Sequence, residues 1–282
     1  LVKLIREEQV TFSHCVPTLL HMLLTHPASQ GADLSRLKMI IGGAALPKGL
    51  ARLALERGID VFAGYGMSET GPLQIVNHLT SAELAGADLD AQAALRSRTG
   101  RAVALCDVYT VDESGQPLPR DGKSVGEIVY RSPWLTQGYL KEDQRSEELW
   151  RGGHLHSGDL GTFNGGVLQV ADRVKDVIKT GGEWIASLEI EDLISQVPGV
   201  SEVAVIGVPD EKWGERPLAL VVPRPGQSVD AGAVRRHLAG YAEKGTISKY
   251  GVPDKVLLVE SLEKTSVGKL DKKLLRKKYA AG

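Results

Sequence analysis

The chain has 282 residues, 42% hydrophobic and 24% charged, which is enough length and apolar content for two domains with buried cores. A formal net charge of -1 gives no global attraction to nucleic acid or an anionic membrane, and no apolar run approaches the ~20 residues that a spanning helix needs. Cys15 and Cys106, the two cysteines, have no metal-ligand spacing and make no disulfide framework, which fits a reducing cytoplasm.

In chain order, the sequence opens on Leu1-Val2-Lys3-Leu4-Ile5, already amphipathic and with no initiator methionine or targeting segment, so it reads as part of something longer. Residues 1–30 carry helix-like periodicity broken at Val16-Pro17-Thr18, then the apolar run Leu19 to Leu24. Lys38 to Ile41 reads as a short buried strand ending in Gly42-Gly43-Ala44-Ala45. Pro47 suits the first turn of a helix whose inward stripe is Leu50, Leu53 and Ala54. After Gly58, Ile59 to Phe62 is the next strand, ending in Gly64-Tyr65-Gly66. Strand, helix, strand with glycine loops at the strand ends predicts a parallel α/β sheet, with ligands collected at the carboxyl ends of the strands.

From about Gly100 the pattern changes to short strands. Residues 101–111 and Gly126 to Arg131 flank the turn Asp112-Glu113-Ser114-Gly115, and Asn164-Gly165-Gly166 is a hairpin signal between Phe163 and Val167. Residues 1–171 thus divide at about 95 into an α/β part and a β-rich part. Beyond Asp172, Ser187 could cap a helix with Ile190, Leu193, Ile194 and Val197 inward. A strand Val203 to Val208, a helix with Val234, Leu238 and Tyr241, a strand Lys255 to Val259 and a helix with Leu274, Leu275 and Tyr279 follow. Residues 172–282 therefore predict a small α+β domain of roughly 110 residues, an ordinary domain size.

Several segments carry groups suited to nucleotide chemistry. Gly64-Tyr65-Gly66-Met67-Ser68-Glu69-Thr70 places a ring, a hydroxyl and a carboxylate on one glycine-freed loop: an aromatic to stack on a base, a phosphate donor and a hard ligand for Mg2+. A tight turn with solvated polar groups explains the same residues. His156-Ser157-Gly158-Asp159 offers a carboxylate suited to a ribose diol, or a turn aspartate. Asp172 to Lys179 alternates charged and apolar residues like a plain β edge, and Gly181-Gly182-Glu183-Trp184 adds close backbone approach and a flat apolar surface. Glu263 to Lys272 holds Lys269 beside Gly268 on a hydroxyl-rich loop, where an ammonium could bridge a carboxylate and an α-phosphate. The cations from Lys272 to Lys278 read as a solvated helix face, and the seven histidines show no metal spacing.

Taken in order, these segments resemble the superfamily of acyl-CoA synthetases, luciferases and peptide-synthetase adenylation domains. Residues 64–70 look like its adenine-and-magnesium loop. Gly126-Glu127-Ile128-Val129-Tyr130-Arg131 and residues 156–159 look like its middle motifs, residues 172–185 like its interdomain hinge, and residues 264–272 like its catalytic-lysine motif. Gly-Gly-Glu-Trp-Ile-Ala-Ser resembles medium- and long-chain fatty-acyl-CoA synthetases more than amino-acid-activating domains.

The resemblance implies a remnant of a large parallel α/β plus β-subdomain region followed by a small mobile α+β domain. It also implies ATP, Mg2+ and CoA as reactants with a fatty acid or similar carboxylate, and a homodimer is a compatible assembly. By position, Gly43 and Ala44 would line the adenine pocket with Gly64 and Gly66, and Tyr65 would stack on the base. Ser68 would touch phosphate, Glu69 would hold Mg2+, and Asp159 would take the ribose with Arg173 nearby. Lys175 would be the pivot, while Lys179, Gly182 and Trp184 would approach nucleotide or the CoA channel. Lys269 would drive adenylation. Serine stands for the commoner threonine at 68 and 157, conserving a hydroxyl. The family's phosphate loop, ending in Pro-Lys-Gly, would lie before residue 1 with much of the acyl tunnel, and residues 42–49 fit the adenine-side segment instead. On that reading the chain alone would be inactive in adenylation. An adenylating enzyme for a different carboxylate, or a non-catalytic nucleotide or acyl binder, is the alternative.

Overall fold

In the computed structural model, which describes residues 1–265 and 269–280, Pro17 begins a helix rather than breaking one. Helix α1 (Val2–Glu7) leads to strand β1 (Phe12–Cys15), which the helical periodicity conceals, and α2 (Pro17–Thr25) starts behind Val16. A proline in the first turn gives up an amide that has no intrahelical partner in any case. The chain divides into two units, Leu1–Val170 and Ala171–Gly282.

In the first unit, β1, β2 (Lys38–Ile41) and β3 (Asp60–Tyr65) pair in parallel, with α3 (Lys48–Glu56) joining β2 to β3. The sheet then reverses. β4 (Ile75–Val76) runs antiparallel to β3 and β5 (Arg101–Ala102) antiparallel to β4, after α4 (Ser81–Leu84) and α5 (Leu89–Arg96). Leu20, Leu37, Ile41, Ile59 and Val61 centre its core. The buried face of α3 is Leu50, Ala51 and Ala54, and Leu53 is 44% exposed. At 100° per residue the first three share one arc and Leu53 falls outside it.

Residues 101–111 do not form one strand. Arg101–Ala102 stays with the first sheet, Leu105 turns the chain at φ +64, and β6 (Asp107–Val111) starts a second sheet. That sheet has the order β6-β7-β8-β9, with β7 (Gly126–Arg131), α6 (Asp143–Leu149), β8 (Leu155–Asn164) and β9 (Val167–Arg173) following. Gly165 and Gly166, at φ +54 and +86, form the β8–β9 turn with the positive φ pair that a tight hairpin needs.

In the second unit, β10 (Ile178–Thr180) and β11 (Glu183–Ile185) precede α7 (Ser187–Ser195), β12 (Val200–Asp210) and β13 (Gly214–Pro223). Then come α8 (Ala231–Glu243), β14 (Lys255–Leu258) and α9 (Lys272–Tyr279). The sheet order is β11-β10-β13-β12, and β14 lies parallel to β13. Strand β13 is not foreseen by the sequence reading; Pro217 and Pro223 disguise it. Residues alternate with period two. Val205, Ala219 and Val221 pack with Ile190, Ile194, Val234 and Leu238, while Ala204, Ile206, Leu218 and Leu220 pack with Leu275. Covering both faces makes these strands unbroken apolar runs.

The helix face from Lys272 to Lys278 is not simply solvated. Lys272 is 8% exposed, and its Nζ lies 2.6 Å from Glu191 Oε1 and donates to Ser187 Oγ at 2.6 Å. Ser187 is the first residue inside α7, not its cap. Its amide and hydroxyl donate to Asp172 Oδ2 at 2.5 and 2.6 Å, so a buried carboxylate from outside the helix satisfies the first orphan N–H. Arg276 pairs with buried Asp176 at 2.7 Å, and Lys278 with Glu263 at 2.5 Å. Among the described residues no helix is long and apolar enough to cross a membrane.

Burial pushes the Glu191 carboxyl up, and Lys272 opposes the shift. A raised carboxyl contributes stability that is full below its unfolded value and is lost as pH rises through the folded one. Removing the ammonium raises it further. Lys272→Met should therefore cost about 3–5 kcal/mol at pH 7 and visibly less near pH 5. Urea unfolding at both pH values checks this, and a penalty that does not shrink on acidification counts against it.

Candidate functional site

Strands β2 and β3 end side by side, and their carboxyl ends carry the two glycine segments. A Cβ on Gly42 would sit 3.2 Å from the Gly64 carbonyl, and one on Gly64 would strike Ile40 and Leu73. Gly43 lies at φ +77, and both it and Ala44 are exposed. Gly64 and Tyr65 belong to β3 itself, so the loop proper begins at Gly66. There a Cβ would lie 1.8 Å from the Pro72 carbonyl oxygen, which makes glycine obligatory for this path. Thr70, fully buried, closes the turn by accepting the Met67 amide at 2.9 Å. Gln74, also fully buried and not anticipated, donates to the Thr70 carbonyl at 2.6 Å.

Tyr65 and Asp159, from segments far apart in the chain, meet. The Tyr65 hydroxyl donates to Asp159 Oδ2 at 2.7 Å. Burial first, then the neighbouring Tyr130 phenol and the Asp159 carboxylate, push the Tyr65 phenol well up, so it stays a donor. Asp159 reaches this position from a bulge. Glu127 opposes Leu160 but Val129 opposes His156, so β8 carries two more residues than β7 between those pairs, and Gly158 turns at φ +70. Ser157 donates its hydroxyl to the Ile128 carbonyl at 2.7 Å and accepts the Asp159 amide at 3.0 Å. That is the physical use of the hydroxyl conserved at 157.

Ser68 is exposed and Glu69 partly buried on a short 3-10 turn. Glu69 Oε1 accepts from the Tyr139 hydroxyl at 2.8 Å, a partner with no signal in the sequence. Among the described residues no group of three His, Cys, Asp or Glu side chains could form a metal cage. One pre-oriented carboxylate suits Mg2+, which usually keeps its waters and takes one or two carboxylates plus phosphate oxygens. His154 contacts Tyr109 and His156 contacts Glu127, so both histidines have structural partners. Burial pushes both thiols, Cys15 and Cys106, up to about 11.

In the second unit, Arg173 and Lys175 are exposed between buried Asp172 and buried Asp176. Lys179 and Trp184 are cross-strand partners, with the ammonium 5.1 Å from the ring centroid. Gly181 and Gly182, at φ +59 and +82, make the two-residue turn between them, so hairpin geometry already accounts for both glycines. The backbone of Lys269 is tied to Thr265, whose amide donates to the Lys269 carbonyl at 2.7 Å and whose Oγ1 accepts the Lys269 amide at 3.2 Å. Residues 266–268, including Gly268, lie outside the described residues.

A family model for the AMP-binding enzyme matches residues 1–140, and one for the AMP-binding enzyme C-terminal domain matches residues 189–269. The chain is 36% identical over 282 residues to the long-chain-fatty-acid–CoA ligase of Thermus thermophilus, covering 99% of this chain and 51% of the relative. It is 36% identical over 282 residues to a feruloyl-CoA synthase of an Amycolatopsis species, covering 98% and 53%. Among solved structures, the amide bond synthetase McbA from Marinactinospora thermotolerans matches with a TM-score of 0.85 and 30% identity, over 99% of this chain and 54% of that one. The chain spans about half the length of the curated relatives it matches.

Because a methyl group at 66 meets backbone rather than a movable side chain, Gly66→Ala should destabilise the first unit by about 1–3 kcal/mol. A urea midpoint equal to that of the parent would show that the loop has another path.

Proposed function

The chain belongs to the AMP-binding enzyme family, and on that premise we propose that it supplies the adenylate-binding and carboxyl-terminal parts of an ATP-dependent acyl-CoA ligase. In the first step a carboxylate attacks the ATP α-phosphate, giving acyl-AMP and pyrophosphate. In the second, the CoA thiol attacks the acyl carbon and AMP leaves. The observation that carries this reading is the Tyr65–Asp159 hydrogen bond, which joins the 64–70 loop to the 156–159 bulge at one place.

Each group then has a task matched to its chemistry. Gly43 and Ala44, both exposed, line the adenine pocket with Gly64 and Gly66, and the Tyr65 ring stacks on the base. Asp159 accepts from the ribose hydroxyls, and Arg173 is assigned to the same nucleotide. Ser68 donates to phosphate and Glu69 would hold Mg2+, which neutralises phosphate charge when bound. The Lys269 ammonium stabilises charge developing on the α-phosphate. Lys175 is the pivot between the two steps: it is exposed, between buried Asp172, which Ser187 holds, and buried Asp176, which Arg276 holds. Lys179, Gly182 and Trp184 serve the thioester step.

We assign a medium- or long-chain fatty acid as the carboxylate. The feruloyl-CoA synthase likeness supports an aromatic acid as the second reading, and McbA supports an amine in place of CoA as acceptor. A panel of fatty and phenylpropanoid acids with CoA or an amine separates these readings. The two free thiols support a cytoplasmic location. The sequence contains no Ser/Thr/Gly-rich loop ending in Pro-Lys-Gly, so these 282 residues alone should form little acyl-AMP.

In the complete enzyme, Lys269→Ala should abolish acyl-AMP formation and spare thioester synthesis from supplied acyl-AMP. Lys175→Pro should do the reverse, because the ring fixes φ at the pivot. Pyrophosphate release and thioester formation, measured separately, decide both. Equal loss in the two half-reactions would sink the assignments.

A further inference from the structure

Glu127 lies on β7 opposite the bulge and has no role in the reaction as described above. Its two carboxylate oxygens are both in use. Oε1 accepts the Gly158 amide at 3.1 Å, while Oε2 accepts from His156 Nδ1 at 2.9 Å and from Arg151 at 2.6 Å. His156 Nε2 in turn lies 3.1 Å from the Arg151 carbonyl. The Glu127 and His156 side chains are 15% and 10% exposed, whereas Arg151 is 58% exposed.

A bulge takes amides out of the regular ladder, and they need other acceptors. The Asp159 amide has Ser157 Oγ, and the Gly158 amide has Glu127. Burial opposes charge on Glu127, but the His156 ring, the Arg151 guanidinium and the Gly158 amide outweigh it and hold the carboxyl below its usual range. The carboxylate is therefore ionised and fixed from three sides, one residue before Asp159 leaves the bulge toward Tyr65.

We propose that Glu127 is a positioning residue for Asp159: by bridging the Gly158 amide, the His156 ring and the Arg151 guanidinium, it holds the bulge that aims Asp159 at the nucleotide ribose. The inference rests on the reading of Asp159 as the ribose ligand. A loose bulge lets Asp159 swing away from the diol, so the loss appears in recognition of the ribose and not in acceptance of CoA.

The test compares the complete enzyme with Asp159→Asn, Glu127→Gln and Arg151→Gln, using ATP and 2′,3′-dideoxy-ATP in pyrophosphate release. The parent should prefer ATP by the ratio of kcat/KM. Glu127→Gln should reduce that preference roughly tenfold, the scale of one hydrogen bond to a charged group. KM for ATP should rise, with kcat and KM for CoA within about twofold of the parent. Arg151→Gln, at an exposed position that keeps the fold, should reduce the preference by less than about fivefold. A purely structural role lowers kcat with the active fraction and leaves the preference intact in both variants; that result overturns the proposal. If Asp159→Asn also leaves the preference intact, the ribose reading fails and this inference with it. A preference lost in Asp159→Asn but kept in Glu127→Gln and Arg151→Gln overturns the positioning role alone.

Discussion

A carboxylate taken out of water must be given donors, and Asp172, 1% exposed, shows how strongly that requirement shapes the second unit. Its donors are the Arg173 amide and the first amide and hydroxyl of α7, and that hydroxyl is also the acceptor for Lys272 at the head of α9. Glu191 completes the set by pairing with Lys272 and accepting the Val205 amide at 2.7 Å. One polar chain thus ties the end of β9, α7, β12 and α9 together. The apolar packing on the two sheet faces adds most of the burial, but it does not by itself specify this arrangement of helix ends.

The same requirement recurs in the first unit with a different outcome. Glu127 and Ser157 satisfy amides that a bulge has withdrawn from pairing, and Tyr65 gives Asp159 its donor. The proposed chemistry falls at irregular places in the fold: a turn that tolerates only glycine at 66, a bulge at 158, and a loop tied at Thr265. Regular strands hold these irregularities still, as a site built from carboxylates and hydroxyls needs.

The proposed reaction fits this division. The first unit offers oxygen acceptors, an aromatic ring and close backbone approach, all suited to a nucleoside and to a metal held chiefly by phosphate. The second offers ammonium groups on a hairpin, a turn and a loop, suited to charge that appears and then leaves.

The sequence by itself determined the family resemblance, the order of the motifs and most of the helices and strands. Each depends on neighbours in the chain: periodicity along a helix, glycine at a turn, a hydroxyl two residues before a carboxylate. It also named Tyr65, Glu69 and Asp159, because a ring, a hydroxyl and carboxylates close to glycines are recognisable locally. Only the tertiary structure decided that Tyr65 bonds Asp159, that Tyr139 holds Glu69, that Glu127 braces a bulge, and that Lys272 is buried. Those pairings join residues remote in sequence, and local pattern cannot distinguish a lysine on a solvated helix from one facing a buried carboxylate. Strand β13 was hidden for a related reason: its prolines obey strand rules only once the partner strands are known.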